Sequence, residues 1–231
     1  MTSADVVDTT VDPPVRQTGR LIAWFAVVGS LAALSYASRL SGGETPDDVL
    51  YLWSTAIGAL IQYAFMFGLI LAIARGLDRR LLALERPERL GRAAALAAGA
   101  FTAIIIVSAI LSRFLDAGDE QGLVPKSWDS SRAAPFIANA LVVAIVAPFV
   151  EELLYRGLGY GLLTQFIPVL PTILITGLAF GLGHGLVLGL PVLAFFGITL
   201  AWLRSETDSV YPGMIVHGTF NGLALLVVVF R

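Results

Sequence analysis

Seven apolar runs, most of them close to the roughly 20 residues that an α-helix needs to cross hydrocarbon, leave this chain few ways to fold. They fall at 21–38, 51–74, 93–115, 133–165, 172–187, 189–204 and 209–230, with Gly and Pro between the later ones as in many membrane helices. A single water-surrounded core could not bury so many apolar stretches in 231 residues. Hydrophobic residues make up 57% of the chain and charged residues 14%, whereas soluble domains hold roughly half and a quarter. Lipid must therefore be the solvent for most of the chain. The expected fold is all-α, a polytopic transmembrane bundle of about seven spans, with six to eight the workable range at this run length. The run 133–165 is too long to be one plain crossing.

Residues 1–20 hold Asp5, Asp8, Asp12, Pro13, Pro14, Arg16 and Arg20 without an apolar period, the composition of a disordered, solvated tail. Residues 21–231 then form a single membrane-embedded domain. Basic residues before Leu21 and the sequence Ser35-Tyr36-Ala37 imitate a cleavable secretion signal. The preceding tail is long and acidic for a signal, however, and the run is long enough to span, so it is read as the first crossing.

The loop at 75–92 carries Arg75, Arg79, Arg80, Arg86, Arg89 and Arg92, while the loops at 39–50 and 116–132 are mainly acidic. The positive-inside rule puts 75–92 in the cytoplasm, and with it the N-terminus. A solvated linker that sets topology is the plain reading of these arginines; a lipid-headgroup or partner site is the alternative. The chain has no cysteine, which excludes disulfides, thiolate metal sites and a cysteine nucleophile. No phosphate-binding glycine loop, dinucleotide fingerprint or internal repeat stands out, and no nucleic-acid partner is expected.

Against this apolar background, a few polar residues are costly unless they pair or face water. Glu151, Glu152 and Arg156 lie in one run, His184 in another, and His217 and Asn221 in the last. At about 100° per residue, Glu152 and Arg156 share a helix face and Glu151 points elsewhere. Arg156 is thus expected to neutralise Glu152 and leave Glu151 for other partners. Pro148, one turn earlier, removes an amide donor and is expected to kink the helix and free a carbonyl near the site. Phe180 and His184 share a face, as do His217 and Asn221. Counting about 1.5 Å per residue puts Glu151, His184, His217 and Asn221 at similar depth. Taken singly, each has a plain structural reading: a packed histidine, a helix-tying asparagine, a buried ion pair. Convergence of all of them favours a shared functional site. Phe180 reads as packing for His184, and Gly181, Gly183, Gly185 and Gly218 as sites of close helix approach.

The motifs Glu-Glu-x-x-x-Arg at 151–156, Phe-x-x-x-His at 180–184 and His-x-x-x-Asn at 217–221 resemble, in order and spacing, those of the CPBP family, the CAAX protease and bacteriocin-processing (Abi) membrane proteins. The resemblance covers about 133–230. It implies an intramembrane glutamic endopeptidase that needs no metal or other cofactor. Carried over by position, Glu151 is the general base, His184 holds and polarises the water, and His217 with Asn221 stabilises the oxyanion; Glu152 and Arg156 support the site. The implied partners are the bilayer and a peptide or membrane-protein substrate, with a prenylated C-terminus one possible class. The short, compact chain suggests a prokaryotic cell membrane.

Three other readings stay open. A zinc peptidase could use His184, His217 and Glu151 as ligands with a fourth position for water. A non-catalytic protein could serve in bacteriocin immunity or as a partner-binding scaffold. A proton-coupled transporter could use the Glu and His residues as a relay, although few ionisable residues lie in the other spans.

Overall fold

The computed structural model describes residues 14–41, 48–115 and 128–230. It is an all-α polytopic bundle of seven helices, without a strand among the described residues. The helices are α1 (Pro14–Leu40), α2 (Trp53–Ala74), α3 (Leu90–Leu115), α4 (133–163), α5 (Val169–Gly183), α6 (Leu190–Thr207) and α7 (Tyr211–Val229). Each matches one apolar run of the sequence. By length and composition, α1, α2, α3 and the stretch Ser130–Leu163 can each cross a membrane. α5, with 15 residues, is about 22 Å long, short of the roughly 30 Å of hydrocarbon. Proline marks several starts: Pro14 opens α1, and Pro191 and Pro212 sit in the first turns of α6 and α7, where a missing N–H costs no helix bond. Residues 1–13 of the expected tail lie outside the described residues, while 14–20 already belong to α1.

α4 is the centre of the bundle. Every residue from 152 to 163 is buried, and Leu154, Leu158 and Leu162 join Trp24 of α1, Ile104 of α3, Phe180 of α5 and Leu200 of α6 in one core. The long run does not break at Pro148. It stays helical and absorbs the irregularity in two π segments, Val142–Val146 and Leu153–Gly159, one on each side of Glu151 and Glu152. Such wide turns leave carbonyls that other helices must satisfy in a water-free interior. Asn221 Nδ2 donates to Val143 O at 3.0 Å, and Trp24 Nε1 donates to Leu154 O at 2.9 Å. The carbonyl of Ala144, which Pro148 cannot pair, faces Gly218, where any Cβ would lie 2.6 Å from it.

Much of the outer surface is apolar: Ile61, Phe65, Ile106, Leu170 and Ile215 are among many large exposed side chains. In water that would be an aggregation-prone face; in lipid it matches the solvent. The arginine loop is more than a linker. Its arginines are exposed, but Leu82 and Leu84 between them pack on the core. Ala83 is buried with φ +51°, and its carbonyl accepts Val210 N at 3.1 Å. The loop therefore closes the end of the bundle where α4 finishes and α7 begins.

Candidate active site

Glu152 and Arg156 are fully buried and one turn apart on α4. Arg156 Nη1 donates to Glu152 Oε1 at 2.8 Å, the pairing that helical phase requires. Arg156 Nη2 donates to the Gly197 carbonyl of α6 at 2.8 Å, and the guanidinium lies 4.6 Å from the centre of the Phe180 ring. The charge pair is thus enclosed on α4, α5 and α6 together. Glu152 also does something that helical phase does not reveal: its Oε1 accepts from His217 Nδ1 at 3.1 Å. Since a carboxylate can only accept, Nδ1 carries the proton in this bond, which leaves Nε2 to face outward.

His217 Nε2 faces Glu151 Oε2 at 3.7 Å. That is too long for a direct hydrogen bond and short enough for one water to bridge the two atoms. His217 therefore lies between the two adjacent carboxylates of α4, one nitrogen toward each. The rings of Phe180 and Phe196 stand edge-on to it, with centroids 5.5 and 4.9 Å away, and fix the imidazole plane. Glu151 retains 12% of its side-chain surface, so unlike Glu152 it remains reachable. Its other oxygen, Oε1, accepts from the Tyr63 hydroxyl of α2 at 2.7 Å.

Asn221 sits one turn beyond His217 on α7, and its amide donates to Val143 O. It is both next to the site and a tie between α7 and the first π segment of α4. His184 is not drawn into the Glu151–His217 contact. The sequence places it inside a helix; the structure places it just past the last residue of α5, because Gly185 takes φ +65° and ends the helix there. Its Nδ1 bonds Phe180 O at 2.8 Å, which requires the proton on Nδ1 and leaves Nε2 open. Phe180 links the two histidines, with its ring centroid 4.7 Å from His184. α1 holds the turn in place: Ser35 Oγ donates to Gly183 O at 2.8 Å and Tyr36 to Leu186 O at 3.0 Å. His184 lines a groove of about 960 Å³ between α1 and α2, with Ser30, Ser35, Gln62 and Met66 on its walls.

Among the described residues no three His, Asp or Glu side chains converge closely enough to hold a metal ion, so the ligand set His184, His217 and Glu151 is not assembled in this arrangement. Tyr63 and Asn139 are the polar groups that sequence reasoning passed over. Asn139 is buried and donates to Leu50 O, Leu52 O and Pro135 O, each at 3.0 Å, which ties α4 to the start of α2. The available signal was modest: each is a hydrogen-bonding group in an apolar run, and buried phenol and amide groups need partners.

The family model for type II CAAX prenyl endopeptidases, Rce1-like, matches residues 133–223. This stretch runs from the start of α4 into α7 and contains all six polar residues of the site. No curated protein and no solved structure matches the chain.

Proposed function

We propose that this integral membrane protein, whose residues 133–223 match the Rce1-like family of CAAX proteases, hydrolyses peptide bonds with a water activated by Glu151. The observation that carries the reading is the placement of a reachable carboxylate opposite an imidazole that a buried ion pair holds in orientation. Glu151 Oε2 and His217 Nε2 stand 3.7 Å apart, a spacing at which a water can donate to both.

In this mechanism Glu151 takes a proton from the water, and the hydroxyl oxygen adds to the scissile carbonyl carbon. Negative charge develops on the carbonyl oxygen. Asn221, through the amide hydrogen not used on Val143, supplies one donor to it, and His217 supplies a second in its doubly protonated form, with Nδ1–H on Glu152 and Nε2–H toward the oxyanion; one such donor contributes about 3–4 kcal/mol of transition-state stabilisation. As the intermediate collapses, the C–N bond breaks and Glu151 returns its proton to the leaving amine. His184 meets water and peptide entering by the α1–α2 groove and holds the attacking water with its open Nε2. Glu152 and Arg156 touch no substrate; they fix the tautomer and position of His217.

The substrate is a peptide or a membrane-protein segment, and a C-terminal region bearing a prenylated cysteine is the form the family name suggests. The arginines of 75–92 support a cytoplasmic position for this loop and for the N-terminus. Comparative proteomics of membrane fractions from cells expressing the wild type or the Glu151→Gln variant tests the reading. Fragments with new termini in wild-type cells alone are expected. Identical peptide ends in both, or an unaltered biological effect with the variant, would instead favour a binding role.

A further inference from the structure

We infer that Tyr63, on α2 and outside the matched segment 133–223, is a positioning residue for Glu151. The inference rests on the reading of Glu151 as the general base.

α2 is apolar and long enough to cross a membrane. Tyr63 is half-buried against the core, and its hydroxyl donates to Glu151 Oε1 at 2.7 Å. A glutamate side chain has several rotatable bonds, and burial of its backbone on α4 does not fix where its carboxylate points. Two contacts do so here. Tyr63 holds Oε1, and His217 Nε2 faces Oε2 at 3.7 Å. Together they define the plane of the carboxylate and turn one oxygen, with its lone pairs, toward the imidazole side where the water must sit. A base displaced by about 1 Å from that line loses on the order of 100-fold in rate. A phenol is suited to the task, because the ring packs in an apolar helix interface while its single O–H finds one acceptor.

The placement also explains why helices outside 133–223 bear on the chemistry. Gln62 and Met66 of α2 line the groove that leads to His184, so the helix that forms a wall of this groove also holds the base.

The test uses the purified full chain in detergent and an internally quenched peptide ending in an S-farnesylated CAAX sequence. Tyr63→Phe keeps the ring and deletes only the donor. Its kcat is expected to fall about 100-fold with KM within about twofold, and adding Tyr63→Phe to Glu151→Gln is expected to lower the rate no further. A second readout needs no substrate: the rate at which dicyclohexylcarbodiimide, an apolar reagent for carboxyl groups, labels Glu151, followed by mass spectrometry. Removal of the hydroxyl is expected to change that rate at least threefold. If Glu151→Gln is inactive while Tyr63→Phe retains wild-type kcat, or if the labelling rates are equal, the Tyr63 inference is overturned. If Glu151→Gln itself cleaves at the wild-type rate, the reading of Glu151 fails instead.

Discussion

Arg156→Met removes a guanidinium that is wholly buried and leaves the equally buried Glu152 carboxylate with His217 as its remaining side-chain partner among the described residues. The lost contacts are the 2.8 Å bond to Glu152 Oε1, the 2.8 Å bond to Gly197 O and the approach to the Phe180 ring. Breaking a buried ion pair from one side costs about 3–5 kcal/mol, chiefly because a charge remains in low dielectric without its partner. At about 1.4 kcal/mol per tenfold, that is more than a hundredfold in the unfolding equilibrium. The same reasoning makes the pair expendable as a unit: Glu152→Gln combined with Arg156→Met is expected to recover most of the loss, since neither charge is then stranded. Reversible unfolding in mixed micelles for the wild type, both single variants and the double variant gives the cycle directly. A single variant within about 1 kcal/mol of wild type, or a double variant as unstable as the sum of the singles, would refute the argument that these charges are coupled in a water-free interior.

Gly213→Ala puts a Cβ 2.7 Å from Glu152 Oε2, and that carboxylate cannot move without disturbing both Arg156 and His217; a stability loss of about 1–3 kcal/mol and a lower kcat are expected, read by melting and peptide cleavage. Asn221→Ala strips the partner from Val143 O, which costs about 1 kcal/mol in a membrane interior. If Asn221 also serves the oxyanion, kcat falls about 100- to 1,000-fold, far more than the melting shift explains. Asp129, just before α4, accepts from the Ser131 hydroxyl, from Arg132 Nε and from Ser131 N–H, which holds its carboxyl down to about 2 against an ordinary 3.8. Because the folded value is the lower one, the stabilisation is complete above about pH 4 and is lost as pH falls toward 2. Asp129→Asn should therefore be less stable than wild type at neutral pH, with the difference vanishing in acid, as melting curves across pH would record.

The apolar runs disclosed the seven helices because the need to cover backbone and side chains in lipid is met locally, within each helix. Helical phase likewise disclosed the Glu152–Arg156 pair, which depends on one turn of α4. What stayed hidden depends on contacts between helices. The π segments of α4 exist beside donors from Asn221 and Trp24, far away in sequence. The contact of Glu152 with His217 joins α4 to α7, and Tyr63 reaches Glu151 from a helix without any recognisable motif. The apolar run puts His184 inside its helix; the positive φ of Gly185, against Ser35 of α1, ends the helix one residue earlier. The arginines of the loop are exposed, as their charge suggests, while the packing of Leu82 and Leu84 between them onto the core has no signal in the charge pattern.

Cleavage of an internally quenched, S-farnesylated peptide by purified protein stripped of metal by chelation tests the central claim most directly, with wild type and Glu151→Gln compared at equal helical content. The account predicts that the wild type cleaves without bound zinc and that Glu151→Gln is lowered by about 100-fold or more. Cleavage by Glu151→Gln at the wild-type rate would contradict the role of Glu151, and activity that disappears with zinc and returns on its addition would contradict the metal-free mechanism.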